Sequence, residues 1–222
     1  MKGRIVGLTL ITLILSGMNP CFAKKENTGE VKKNVYTDAK FGFQITGLSN
    51  WKVKTQKEPS SLRVMLTQKN YKTSENSVSA QSTTAIPTIL ILADTTSLSL
   101  AEVESCLFQK CEKLKSRDDY LLKLELIPNS ENLGTGDVTI ANLPARVYTL
   151  QQKYNRVVED IRERSSSPSG GTVIIEDFLA GYVILFKKGN NLYMVQFSCE
   201  REFFAPTNEE FQKIIKSWKF IQ

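Results

Sequence analysis

Histidine is absent from the 222-residue chain. Its absence removes Ser-His-Asp and Cys-His catalysis, imidazole metal sites and histidine-based pH switching together. Zinc and copper enzymes are therefore poor fits. Calcium needs only oxygen ligands, but no D-x-D-x-D-G loop occurs. The acidic pairs Asp118–Asp119, Glu159–Asp160, Glu176–Asp177 and Glu209–Glu210 read as solvated surface. No metal and no cofactor is expected. A dinucleotide fingerprint is missing too, since Gly134-Thr-Gly136 stands alone as a turn signal. No C-x-x-C pair is present, which leaves thiol redox catalysis without its motif.

A long hydrophobic run is also lacking. A membrane-spanning helix takes about 20 apolar residues, whereas the run from Ile5 to Leu15 is interrupted soon afterwards by Gly17, Asn19 and Pro20. With Lys2 and Arg4 ahead of it, this segment has the three parts of a signal peptide over residues 1–23. Cleavage is expected after Ala23, with Cys21 and Ala23 in the small-residue positions and Lys24 as the new N-terminus. A rival fate is a lipidated Cys21, which would anchor the chain to a membrane. Asn19 and Pro20 stand where lipoprotein signals carry small residues, and argue against it. The expected location is periplasmic or secreted, with membrane attachment only through Cys21.

Loss of residues 1–23 removes Lys2 and Arg4 and no acid, so the formal charge falls from +6 to +4. The cations are interspersed with carboxylates, and no basic stripe of the kind that follows a phosphate backbone is evident. Nucleic acid is not expected as a partner. The remaining chain is long enough for one good core.

Residues 24–33 are polar and without period, a flexible leader, and order is expected from Asn34. Phe41, Phe43 and Ile45 alternate with polar residues on one side of a turn, as in a β-hairpin. Trp51–Val53 and Leu62–Leu66 continue the extended path. Residues 70–85 are rich in Ser, Thr, Asn and Gln and read as an exposed loop. Ile86–Ala93 is a continuous apolar run suited to a strand covered on both faces. Ser99 and Glu102 form a capping box for a helix over Leu100–Lys115, and Thr207 with Glu210 predicts a second box before Phe211, Ile214, Ile215 and Trp218. Strands at Val138–Ile140 and Ala145–Gln151 flank an Asn142-Leu-Pro turn. Residues 156–171 end in Ser-Ser-Ser-Pro-Ser-Gly-Gly and read as a mobile loop. Thr172–Phe186, bent near Gly181, and Leu192–Cys199 form a hairpin about Lys188-Gly-Asn-Asn191. The sum is an α+β fold, a mostly antiparallel sheet covered by helices as an α/β/α sandwich, in one domain over residues 34–222.

Four segments in this order carry a likeness: Tyr36-x-Asp38-x-x-Phe41-Gly-Phe43-x-Ile45, Gly47-x-Ser49-x-Trp51, Asn142-Leu-Pro-Ala145, and Phe211-x-x-Ile214-Ile-x-Ser217-Trp-x-Phe220. Together they resemble the PsbP-like family of the PsbP/DcrB type, in its exported bacterial branch. The resemblance implies an antiparallel sheet between helices and an accessory or assembly role with no shared catalytic residue. Fold analogy alone assigns no site. The manganese and calcium link of PsbP runs partly through histidine, so it does not carry over. The aromatic residues of these segments read as core, each large side chain contributing about 1.5–3 kcal/mol on burial.

After cleavage, Cys106, Cys111 and Cys199 remain in a compartment where disulfides persist. Five residues apart on one helix, Cys106 and Cys111 have Cα atoms about 8.6 Å apart, beyond the roughly 7 Å a bridge tolerates. Cys111 falls on the apolar stripe with Leu107 and Leu114, and Cys199 shares a strand face with Tyr193, Val195 and Phe197. A Cys111–Cys199 bridge with Cys106 as the free thiol is the first expectation. It would be worth roughly 4 kcal/mol in the chain-entropy model. A Cys106–Cys199 bridge and three buried thiols stay open.

The functional expectation is a non-catalytic accessory or binding protein of the cell envelope, with an unidentified envelope protein or complex as partner. Two alternatives stand beside it. One is a carrier of lipid or another apolar ligand between sheet and helix. The other is a carboxylate hydrolase built on Glu176 and Asp177, which adjacency on a strand points to opposite faces.

Overall fold

The computed structural model describes residues 26–71, 86–107, 130–159 and 172–221. The described strands are β1 (Glu30–Lys32), β2 (Val35–Asp38), β3 (Phe43–Thr46), β4 (Trp51–Thr55), β5 (Leu62–Gln68), β6 (Thr88–Thr95), β7 (Ser130–Ile140), β8 (Leu143–Glu159), β9 (Thr172–Lys188), β10 (Asn191–Glu200) and β11 (Lys219–Phe220). The helices are α1 (Leu100–Leu107) and α2 (Phe204–Lys216), the second preceded by a 3-10 turn at Arg201–Phe203. A four-stranded sheet has the order β1-β2-β3-β11, and a seven-stranded sheet the order β4-β5-β6-β10-β9-β8-β7. Every described strand pair is antiparallel.

Alternation along the strands sorts the side chains of the large sheet to two faces. On one, Val64, Leu66, Ile89, Ile91, Ile184, Phe186, Tyr193, Val195, Phe197 and Cys199 meet Tyr36, Phe43 and Ile45 of the small sheet and Phe211, Ile214 and Ile215 of α2. The two sheets thus share one core. Aromatic rings fill it: Phe43 stacks on Trp218 at 4.4 Å and Phe197 on Phe211 at 4.5 Å. On the other face, Leu92, Tyr148, Leu150, Val183, Leu185, Leu192 and Met194 form a second cluster with Val103 of α1.

The mostly antiparallel sheet is as the alternation predicts. The helical covering is smaller than expected, because the described helices are one short segment against each face. Residues 108–115 of the anticipated longer helix lie outside the described residues. β6 is central, hydrogen-bonded to β5 and β10, as its continuous apolar run requires.

Several local expectations are corrected. Residues 26–33 are ordered rather than a flexible leader: Thr28 is buried, its amide donates to Gln56 O at 3.0 Å, and Glu58 N donates to Glu26 O at 2.9 Å. A polar composition does not prevent order when the backbone groups find partners on a neighbouring strand. The β7–β8 turn is Ala141–Asn142, both at positive φ (46° and 68°), and Leu143-Pro144 already belongs to β8. Residues 156–159 continue β8 instead of opening a loop, because they pair with 172–175 of β9. Gly181 carries no bulge. Its pairing is continuous on both sides, and a Cβ there would lie 1.8 Å from Phe197 O, so the residue is glycine to let β10 approach.

The Ser99–Glu102 capping box forms as predicted, with Glu102 N donating to Ser99 Oγ at 3.2 Å and Ser99 N to Glu102 Oε2 at 2.8 Å. The Thr207–Glu210 box does not. α2 begins three residues earlier at Phe204, which places Thr207 inside the helix with its hydroxyl donating to Phe203 O at 2.7 Å.

Candidate functional site

Among the described residues, buried and half-buried polar groups gather in four places, and the sequence pattern alone reveals none of their pairings. Arg63 sits where the β5–β6 register shifts between Leu62 and Val64. Such a bulge re-aims a side chain, and here it turns a guanidinium inward until it is fully buried. Arg63 Nε donates to Asp38 Oδ2 at 2.8 Å, Nη1 to Ser60 O at 2.7 Å, and Nη2 to Glu58 Oε1 at 2.7 Å and Thr28 O at 2.9 Å. Tyr36 OH donates to the same Asp38 oxygen at 2.8 Å, and Phe41 N to the other at 3.0 Å. The Arg63 hydrogen bond holds the Glu58 carboxyl below its ordinary range, while desolvation raises the Tyr36 phenol. These partners satisfy one another and tie the N-terminal strands to the large sheet, which is a structural task.

Glu210 is the second centre. It accepts from Trp51 Nε1 at 2.7 Å, Asn50 Nδ2 at 2.8 Å and Gln68 Nε2 at 3.2 Å, and so pins α2 across the ends of β4 and β5. Glu104 is the third, accepting from Tyr148 OH at 2.5 Å and Arg146 Nε at 3.0 Å to fasten α1 to β8. The fourth is Glu200, which is buried and accepts from Tyr154 OH at 2.8 Å and from Tyr71 OH. Burial and the Glu200 hydrogen bond raise the Tyr71 phenol.

Glu200 lies at the root of a projection. Among the described residues, β10 pairs with β9 as far as Glu200–Leu179, and β7 pairs with β8 from Ser130–Gln152 onward. Beyond those points Lys153–Glu159 and Thr172–Phe178 continue as a two-stranded arm of seven residue pairs. At about 3.4 Å per residue it reaches roughly 20 Å past the sheet. Ile174, near its far end, is 66% exposed. Glu176 is paired with Lys153 at 2.8 Å with both side chains solvated, and Asp177 Oδ1 accepts from Phe178 N at 2.7 Å. The two carboxylates are on opposite faces of the arm, as adjacency requires.

Cys199 is a buried thiol in the core beneath α2, and burial pushes its pKa up to about 12. A thiol so protonated is a poor nucleophile. Its proposed partner Cys111 lies outside the described residues, as do Cys21, Ala23 and Lys24. α1, which carries Cys106, packs on the opposite face of the large sheet from Cys199. A Cys111–Cys199 bridge therefore requires the chain after Leu107 to cross from one face to the other. Residues 72–85 and 160–171 of the two anticipated loops are also outside the described residues.

Among the described residues no group of three or more potential ligands could hold a metal ion, and no helix is long and apolar enough to cross a membrane. No protein-family model matches the chain, and no curated protein does. Among solved structures the chain is similar to cyanobacterial PsbP (CyanoP) from Synechocystis sp. PCC 6803, with 9% identity, a TM-score of 0.42, and 86% of this chain and 95% of that one covered. It is similar also to LpqN of Mycobacterium tuberculosis, a protein involved in cell envelope biogenesis, with 8% identity, a TM-score of 0.42 and coverages of 81% and 83%. A PsbP protein thus stands among its structural neighbours. At such identities and scores the likeness says nothing about function.

Proposed function

We propose that this chain is an exported, non-catalytic binding protein of the cell envelope that engages a protein partner through the β8–β9 arm. The observation that carries the reading is the arm itself: seven residue pairs beyond either neighbouring strand among the described residues, with Ile174 presented to solvent. Two strands alone bury little, so an extension of this length gains its use from what it meets. The carboxylates that could serve chemistry are committed elsewhere, Asp38 and Glu58 to Arg63 and Glu210 to Trp51. Stacked rings fill the space between sheet and α2, which speaks against an apolar ligand there.

The test is crosslinking and co-purification from the native host with the wild-type protein and with Ile174→Asp. A partner captured by the first and lost by the second is expected, while an unchanged set of captured proteins overturns the arm as the binding element. Export and the cysteine pairing are proposals read by mass. The intact protein from the envelope fraction should begin at Lys24, and nonreducing peptide mapping should join Cys111 to Cys199. A lipidated Cys21, or Cys199 free in every molecule, overturns the respective statement.

A further inference from the structure

We infer that the edge where β1 and β4 meet docks on an anionic phospholipid surface. β4 ends the seven-stranded sheet and β1 ends the four-stranded one. An open groove of about 420 Å³ runs between them, bordered by Val31 and Lys32 on one side and Val53 and Lys54 on the other. Lys32, Lys33, Lys52, Lys54 and Lys57 are all exposed along this edge, against exposed Glu26 and Glu30. Glu30 is taken up by Lys32 at 2.6 Å, and Glu58 is turned inward to Arg63. Among the described ion pairs none involves Lys33, Lys52 or Lys54. Val31, 38% exposed, adds an apolar residue at the rim.

Lysines guard the open edges of sheets against pairing, and Lys52 and Lys54 do that for β4. Lys32 does the same for β1, but guarding leaves Lys33 in the following turn unexplained and does not account for which residues follow the leader onto this edge. Glu26 and Asn27 lie on this same edge, with Asn27 bridged to Lys57. Glu26 is three positions beyond Ala23, the expected cleavage position. On export, therefore, this edge is the part of the fold delivered next to the lipid headgroups. Lysines near an anionic leaflet strengthen attachment about fivefold each, the equivalent of ~1 kcal/mol. The inference deepens the envelope placement proposed above, while vesicle binding by purified protein does not depend on export, so the two fail separately.

The experiment is cosedimentation of the protein beginning at Lys24 with vesicles of phosphatidylcholine alone or mixed with phosphatidylglycerol. Binding only to the anionic vesicles, lost in high salt, is expected. The double variant Lys52→Glu/Lys54→Glu should weaken it at least about tenfold, and Lys213→Glu/Lys216→Glu on the exposed side of α2 should leave it unchanged. Circular dichroism melts check that each variant is folded. No binding to anionic vesicles, equal binding to neutral ones, or an equal loss from the α2 pair overturns the inference.

Discussion

Trp51 and Trp218 are both buried indoles, but they differ in their ring N–H. Trp51 Nε1 donates to the Glu210 carboxylate at 2.7 Å, whereas Trp218 Nε1 has no hydrogen-bond partner and is held by ring contacts with Phe43, Phe186 and Tyr193. A hydrogen bond to a charged group is worth about 1.5–3 kcal/mol, so Trp51→Phe should cost about 1–2 kcal/mol more than Trp218→Phe in urea unfolding. Equal costs would mean that the Glu210 bond contributes nothing net. A second residue-scale consequence concerns acid. Arg63 depresses the Glu58 carboxyl, with burial opposing. A depressed pKa contributes stability that is complete above the unfolded value of about 4.3 and is lost as pH falls through the folded one. Glu58→Gln should therefore be less stable than wild type at neutral pH and show a flatter loss on acidification. Parallel curves would remove Glu58 from the acid response.

At the scale of elements, the turns and the arm are the informative parts. Ala141 holds φ at +46°, a conformation that costs a residue with a Cβ roughly 1–2 kcal/mol. Ala141→Gly should accordingly raise stability by up to about 1 kcal/mol, with glycine's greater unfolded entropy taking back part of the gain. A lowered urea midpoint would contradict the turn geometry. The arm should differ from the sheet it leaves. Among the described residues, amides of 153–158 and 173–178 have one neighbouring strand, while those of 179–186 in β9 have two. Hydrogen exchange is expected to be faster by orders of magnitude in the arm, and equal protection along β9 would show that another segment covers it.

For the whole molecule, the shared core joins the two sheets. Tyr36, Phe43 and Ile45 of the small sheet pack into the same cluster as Trp51, Val195 and Phe211, and the Arg63 network crosses between the sheets. Indole fluorescence and far-ultraviolet dichroism should then report one coincident unfolding transition. Separate midpoints would mean that the small sheet melts alone. The same packing bears on the cysteines. Cys199 belongs to the core under α2 and α1 to the opposite face, so a bridge to Cys111, if mass mapping finds it, requires the chain after Leu107 to pass from one face of the sheet to the other.

Local rules account for what could be read early. Alternation placed Phe41, Phe43 and Ile45 on an inward face, a continuous apolar run made β6 central, and Ser99 with Glu102 marked the start of α1. Each of those signals lies within a few residues of chain. The misreadings share a cause: Thr207 and Glu210 satisfy the capping pattern, but Glu210 finds Trp51 159 positions away. Alternation alone puts Arg63 opposite Leu62 and Val64, and a bulge turns it onto Asp38 and Thr28, 25 and 35 positions distant. Residues 26–28 looked disordered because their partners at 56–58 are not neighbours in sequence, although 30–32 pair close by with 35–37. The sequence by itself determined which segments extend or coil and which of their faces turn inward, since those depend on nearest neighbours. Only the tertiary structure decided which polar groups satisfy one another, which helix covers the face that holds Cys199 and which edge gathers the lysines, because desolvation makes a buried charge choose its partner from the whole folded surface.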